Sequence, residues 1–97
     1  MNNFEKVKGY IGIARKAGYL IIGGDNIKNH KKKLYLVIFD KNSQKNTIKI
    51  VENAKKNDII ALQVDNLADL TGIENCKIIG IRNKKISDLV IEIINKE

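Results

Sequence analysis

Residues 23–26 have the types and spacing best suited to contact with a phosphate or a nucleobase. They read Gly-Gly-Asp-Asn, and they lie between the cations Arg15 and Lys16 and a run of three lysines at residues 31–33. A Gly-Gly pair at a helix start turns the chain and leaves backbone N–H groups without an intrahelical acceptor. Such groups favour a phosphate oxygen or the acceptor edge of a base, although the two glycines can also serve only to turn the chain.

The positive charge of the chain is concentrated around this segment. The 97 residues carry 18 basic and 11 acidic side chains, a formal net charge of +7. Residues 1–33 hold eight basic and two acidic side chains, whereas residues 34–97 hold ten and nine. A basic first third is typical of a surface that binds a polyanion such as nucleic acid. The lysines at residues 31–33 can alternatively form a solvated helix end that opposes the helix dipole.

The sequence contains no pattern typical of an enzyme. Residues 23–26 match neither the phosphate-binding pattern of nucleotide hydrolases nor the glycine fingerprint of dinucleotide-binding proteins, and no His, Cys or carboxylate residues have the spacing of metal ligands. Ser43 and Ser87 are interpreted as helix caps without a basic partner. We therefore expect no catalytic residue, no cofactor, no metal ion and no small-molecule substrate.

The sequence also lacks membrane and secretory signals. No apolar run approaches the length that crosses a bilayer, and the first residues, which include Asn2, Asn3 and Glu5, lack the basic and apolar regions of a signal peptide. Cys76 is the one cysteine, so it cannot form an internal disulfide, and it is interpreted as a small buried residue. We expect a cytoplasmic, monomeric protein whose residues 1–97 form one domain.

Helical and strand patterns alternate along the chain. Phe4, Val7, Ile11 and Ala14 fall on one face at helical spacing, and residues 34–39 form a continuous apolar run typical of a strand buried on both faces. The predicted order is helix 3–16, strand 20–22, helix 25–32, strand 34–39, a helix capped by Ser43 and ending near residue 56, strand 59–64, a short helix capped by Asp65 and ending at Gly72, strand 77–82, and a last helix that begins at Ser87 or Asp88. Helices between buried strands predict an α/β fold, a three-layer α/β/α sandwich around a small four-stranded mixed sheet.

Four segments together carry a family resemblance. Residues 14–18, Ala-Arg-Lys-Ala-Gly, end a helix before a short strand and a glycine-opened helix. Residues 36–40, Leu-Val-Ile-Phe-Asp, form a hydrophobic strand that ends in aspartate, and residues 46–47, Asn-Thr, lie at the next helix start. Residues 67–72 fit the pattern L-G-x-[AL]-x-G, with Ala68 in place of the first glycine. In this order the segments resemble the ribosomal protein L-seven-Ae-like family, in particular its short bacterial members.

The resemblance implies a non-catalytic, ribosome-associated protein that binds a kink-turn, an RNA internal loop with tandem sheared G·A pairs. In that family the glycine-opened helix enters the groove at those pairs, and the loop after the L-G-x-[AL]-x-G element covers the extruded nucleotide. The candidate RNA contacts, taken from this resemblance and from the nearby cations, are Arg15, Lys16, Gly23, Gly24, Asp25, Asn26, Lys28, His30, Lys31, Lys32, Ile73, Glu74, Asn75 and Cys76. A structured, kink-turn-like RNA is the expected partner.

Two departures from the family bear on specificity. Many kink-turn binders carry a glutamate directly after the asparagine, whereas this chain has Ile27, which we expect to anchor a short helix on the sheet. Only eleven residues separate Gly24 from Leu36, so the second helix is short for the family. We expect His30 to be an exposed polar residue and Asp40 to serve in a turn or cap. The alternative function is a protein-interaction adaptor on the same fold with little RNA specificity.

Overall fold

Helices and strands alternate throughout the described part of the chain. The computed structural model describes residues 1–96. Its elements, in chain order, are α1 (Asn3–Lys16), β1 (Leu20–Ile22), α2 (Gly24–Lys28), β2 (Leu36–Asp40), α3 (Lys45–Lys56), β3 (Ile60–Val64), α4 (Leu67–Thr71), β4 (Ile78–Ile81) and α5 (Lys84–Asn95). The type and order of these elements confirm the sequence prediction.

One mixed sheet organises these elements. Its strand order is β1-β4-β2-β3. β2 and β3 are parallel, whereas β4 is antiparallel to both β1 and β2. β4 and β2 are therefore the central strands, and every residue of both is buried. A strand covered on both faces needs apolar side chains at nearly every position, which explains the continuous apolar run that marks β2 in the sequence.

The side chains of the central strands alternate between two cores. Leu36 and Ile38 point into a core that α1, α4 and α5 cover, and Ile11 of α1 is fully buried there. Val37 and Phe39 point to the other face, into a core that α2 and α3 cover. Burial of each such side chain stabilises the fold by about 1.5 to 3 kcal/mol. The chain is thus an α/β/α sandwich around a four-stranded mixed sheet, as predicted.

Two predicted helix caps are wrong because, in each case, the next residue occupies the position before the helix. Ser43 does not cap α3; its hydroxyl donates to the Asp40 carbonyl oxygen at 2.6 Å, and Gln44 precedes the helix. Asp65 does not cap α4, because the side chain of Asn66 accepts a backbone N–H of the first turn at 3.2 Å. Both corrections concern the turns that follow β2 and β3.

The first and last helices also differ slightly from their predicted form. The side chain of Asn83 accepts the backbone N–H of Ile86 at 2.9 Å, so α5 begins at Lys84 and the predicted start at Ser87 falls inside the helix. Phe4, predicted on the inner face of α1, is 45% exposed. It lies in the first turn of α1, where the helix reaches the edge of the core.

Candidate functional site

The sheet topology brings two predicted loops together at one end of the molecule. β1, β2 and β3 run in one direction and β4 runs in the other, so the end of the first three strands meets the start of β4. The Gly23 backbone N–H donates to the Ile78 carbonyl oxygen at 3.0 Å. The Gly23–Gly24 turn therefore lies beside the start of β4 and the loop before it, although about fifty positions separate them in the sequence. We call this end of the sheet the glycine end.

The turn at the glycine end depends on a backbone conformation that favours glycine. Gly23 has φ +90° and ψ 150°, which side chains of L residues rarely adopt. The following Gly24 begins α2, and a Cβ added to it would lie 2.7 Å from Cδ1 of Ile50 on α3. The first glycine thus makes the turn, and the second lets α2 lie close to α3.

α2 is much shorter than predicted. It spans five residues and ends at Lys28, because no apolar side chain follows Ile27 until Leu34 to hold a further turn on the sheet. Ile27 is 8% exposed and lies in the core under α2 and α3, which confirms its predicted role as an anchor. So short a helix sums few peptide dipoles, and its attraction for an anion depends on its free N–H groups and side chains.

The exposed side chains of α2 are Asp25, Asn26 and Lys28. Nδ2 of Asn26 donates to the carbonyl oxygen of Ile22 at 2.7 Å, which fixes the side chain against the end of β1. Its Oδ1 remains available as an acceptor, and its second amide hydrogen as a donor. One side chain at the glycine end can therefore both donate to and accept from a base edge.

The loop between α4 and β4 forms the other half of the glycine end. Glu74 and Asn75 are exposed, and Asn75 has φ +60°. Ile73 is half-buried against the core under α1, α4 and α5, and its N–H donates to Thr71 Oγ1 at 3.2 Å. The loop therefore presents only part of one apolar side chain.

Two candidate residues are less accessible than expected for a contact surface. Cys76 is 6% exposed and belongs to the core, which confirms its interpretation as a small buried residue. Its side chain therefore contributes to packing and not to the loop surface. His30 was expected to be exposed but is half-buried, and its Nε2 is shielded from solvent without a hydrogen-bond partner among residues 1–96.

Asp40 holds the glycine end together. Its buried carboxylate accepts the backbone N–H of Asn42 at 2.8 Å and that of Leu67 at 3.0 Å. Nζ of Lys77 lies 3.7 Å from the same carboxylate, and the Asp40 N–H donates to the Lys77 carbonyl oxygen at 2.9 Å. Burial raises the pKa of Asp40, but the two N–H donors and then Lys77 outweigh it, so the pKa lies below its ordinary value. The predicted turn-or-cap role is confirmed.

Two cations at the glycine end were missed in the sequence. Lys41 follows β2 directly and Lys77 precedes β4 directly, and about half of each side chain is exposed. Both are single lysines outside the basic first third, so neither the charge count nor the resemblance singled them out. The signal that could have found them is position, since Lys77 begins the predicted strand 77–82 and Lys41 lies two residues after the predicted strand 34–39.

Most of the predicted cations lie at the opposite end of the sheet. There the Arg82 N–H donates to the Tyr19 carbonyl oxygen at 2.8 Å, and the Tyr35 N–H donates to the Ile81 carbonyl oxygen at 2.9 Å. Two groups of cations lie within four residues of these tyrosines in the sequence: Arg15 and Lys16, in the last turn of α1, and the lysines of residues 31–33. We call this the basic end, and the length of β2, roughly 15 Å, separates it from the glycine end.

The structure therefore divides the predicted site into two parts. Gly23, Gly24, Asp25, Asn26, Glu74 and Asn75 are together at the glycine end, whereas Arg15, Lys16, Lys31 and Lys32 are not with them. Nζ of Lys33 lies 5.0 Å from the centroid of the Tyr35 ring, which fixes the end of the lysine run to the start of β2. The sequence placed all these groups around one turn because they are close along the chain.

The described residues hold neither a bilayer-crossing helix nor a group of metal ligands. No helix within residues 1–96 is both long and apolar enough to cross a membrane. The same residues bring together no group of three or more His, Cys, Asp and Glu side chains that could hold a metal ion.

Comparison with known proteins identifies a similar fold. No family model matches the chain, and a comparison with curated proteins finds no match. A solved structure of a protein of unknown function from Bacillus halodurans C is similar, with a TM-score of 0.77 and 21% sequence identity. The similarity covers 93% of this chain and 97% of that one. The chain thus shares its fold with that protein over nearly the whole of both chains.

Proposed function

We propose that this protein is a non-catalytic RNA-binding protein that holds a structured, kink-turn-like RNA. The observation that carries the proposal is the hydrogen bond from Gly23 to Ile78, because it joins two exposed polar segments at the glycine end. Asparagine amides and free N–H groups there suit base edges, and the neighbouring lysines suit phosphates. The excess of positive charge in residues 1–33 supports the same partner.

The two ends of the sheet suggest a division of roles. At the glycine end, Asn26 and the N–H groups of Gly24 and Asp25 contact base edges, and the exposed part of Ile73 covers an extruded base. At the basic end, the lysines of residues 31–33 neutralise phosphates of a flanking stem. A bent RNA can reach both ends because its two stems leave the bend in different directions. We propose further that the protein acts as a ribosome-associated cytoplasmic monomer.

Specificity for the kink-turn is expected to be moderate. Ile27 faces the core, so guanine is contacted without the carboxylate that many kink-turn binders supply. We expect a standard kink-turn to bind more tightly than the same RNA with its sheared G·A pairs changed to Watson–Crick pairs. The difference should be smaller than the roughly 4 to 10 kcal/mol that separates specific from non-specific binding in strongly selective proteins.

Titration of both RNAs against the wild type and Asn26→Ala tests the proposal. The substitution should remove most of the difference between the two RNAs, because it removes the one α2 side chain that can both donate and accept. It also removes the bond to Ile22, so thermal unfolding of the variant is measured alongside, with an expected loss of about 1 kcal/mol. Equal affinity of the wild type for the two RNAs would refute kink-turn recognition and favour the adaptor function.

A further inference from the structure

A second candidate site lies between α2 and α3. A groove of about 1010 Å³ starts beside Asp25 and Asn46, near the glycine end, and reaches Asn57 and Asp58 beyond the end of α3. It adjoins the proposed RNA contacts at α2, but its other wall is α3, which makes none of those contacts. We call it the α2–α3 groove.

One face of α3 presents a row of amides to this groove. Asn46, Lys49, Asn53 and Asn57 all line it, and their spacing of three or four residues places them on one side of the helix. Asn57 Nδ2 donates to the carbonyl oxygen of Asn53 at 2.9 Å. Within residues 1–96 the side-chain amides of Asn46 and Asn53 make no hydrogen bond, so they are free to pair with a ligand.

The floor of the groove is apolar. Ile27, Leu34 and Ala54 form its buried part, and the half-buried Ile50 and Ile59 leave apolar surface accessible. A flat aromatic ring can pack on such a surface, while its polar edge reaches the amides beside it. A nucleobase has this combination of a flat apolar face and a hydrogen-bonding edge.

The opposite wall of the groove is cationic. Lys28, Lys32 and Lys33 line it, and Lys49 adds a fourth ammonium group from α3, against the carboxylates of Asp25 and Asp58. His30 lines the same wall, with Nε2 shielded and without a protein partner among the described residues. The excess of positive charge suits a phosphate.

We propose that the α2–α3 groove binds an unpaired nucleotide of a single-stranded RNA segment. The base packs on the floor near Ile50, its edge meets the amide of Asn53, and its phosphates lie by Lys28 and Lys49. An acidic peptide would pair with the lysines, but its acidic side chains lack a flat ring that packs on the apolar floor and carries a hydrogen-bonding edge to the amides. The assignment of this nucleotide to an RNA rests on the proposed function, since the groove begins where the structured RNA would be held.

The test uses tetrauridylate and an abasic chain of the same number of phosphates, each titrated into isotope-labelled protein. We expect saturable changes in the amide resonances of Lys28 and Asn53 with tetrauridylate, and binding of the abasic chain at least about fivefold weaker, because it lacks the stacking base. Lys49→Glu should weaken tetrauridylate binding by about fivefold or more. The matched control is Lys55→Glu, which makes the same charge change on the opposite face of α3 and should alter affinity less than about twofold.

The opposite results would overturn the proposal. If both chains bind equally tightly, or if Lys55→Glu weakens binding as much as Lys49→Glu, the groove is only part of a cationic surface. A kink-turn titration of the same wild-type protein separates this inference from the proposed function. Kink-turn binding without groove changes on addition of tetrauridylate refutes the groove alone, whereas groove binding of tetrauridylate without kink-turn binding refutes the kink-turn alone.

Discussion

Replacement of Asp40 by asparagine should destabilise the protein more than any exposed carboxylate replacement. Asp40 is 3% exposed, and its two carboxylate oxygens accept the N–H groups of Asn42 and Leu67. In Asp40→Asn one oxygen becomes an NH2 group, which would face an N–H donor instead of accepting it. One buried donor is then left without a partner, and the other pairs with a neutral oxygen.

The size of the effect follows from these two bonds. A hydrogen bond to a charged group contributes about 1.5 to 3 kcal/mol, and a buried donor without a partner costs about 1 to 3 kcal/mol. Loss of the carboxylate also removes its desolvation cost, which offsets part of the sum. The Lys77 ammonium group adds less than about 1 kcal/mol, because its side chain is 44% exposed. We therefore expect a loss of about 2 to 3 kcal/mol in the free energy of unfolding.

The loss should depend on pH. The pKa of folded Asp40 lies below its ordinary value of 3.8, so the folded state binds the proton less tightly than the unfolded state. The carboxylate's charge therefore stabilises the fold above the unfolded pKa, and this contribution disappears as the pH falls through the folded pKa. The gap between wild type and Asp40→Asn should be largest near pH 7 and smaller at pH 3.

Urea denaturation at pH 7, 5 and 3 measures both effects. Asp65→Asn is the matched control, because the Asp65 side chain is 91% exposed and should change stability by less than about 0.5 kcal/mol. Asp40→Asn should also weaken RNA binding, since the carboxylate ties the α4 start and Lys77 to the end of β2. A difference below about 0.5 kcal/mol at pH 7, or one that does not shrink at low pH, would refute this account of Asp40.

Three further predictions concern charge, backbone conformation and the second loop. Replacement of Lys31, Lys32 and Lys33 by serine should weaken binding to all RNAs alike and reduce the slope of log affinity against log salt by about 2 to 3. As a control, replacement of Lys6, Lys8 and Lys96 together should leave that slope nearly unchanged. An unchanged slope in the first variant would show that residues 31–33 are only a solvated helix end. Gly23→Ala should lower the free energy of unfolding by about 1 to 3 kcal/mol, because φ of Gly23 is +90°. Gly9→Ala, in open space on α1, should raise it by about 0.5 to 1 kcal/mol. Melting temperatures of both variants equal to that of the wild type would contradict both predictions. Ile73→Asp should lower the melting temperature and weaken RNA binding of the folded protein by about 1 to 3 kcal/mol. The control Ile73→Leu should keep the wild-type melting temperature and affinity. Wild-type affinity in Ile73→Asp would exclude a base contact at this loop.

The sequence was sufficient to predict the helices and strands, but not the end of the sheet at which each candidate RNA contact lies. The continuous apolar run of β2 and the single anchor Ile27 are local patterns, so their burial could be predicted. The meeting of the Gly23 turn with the loop before β4 could not be predicted from local patterns, because it depends on the direction of β4 between β1 and β2. The predicted caps failed for a smaller reason: the Ser43 hydroxyl bonds back to the carbonyl oxygen of Asp40 and not to the first turn of α3.

The short α2 determines how the proposed RNA could be contacted. A long helix can insert one face into a groove, but α2 has fewer than two turns, and its anchor Ile27 commits the inner side to the core. The first turn of α2 remains exposed. The bond from the Gly23 N–H to Ile78 and the bond from the Asn26 amide to Ile22 fix its position. Such a segment offers a few fixed donors and acceptors, and most of the binding energy must come from cations elsewhere. The affinity should therefore depend strongly on salt at the basic end, while the choice among RNAs depends on a small set of groups at the glycine end.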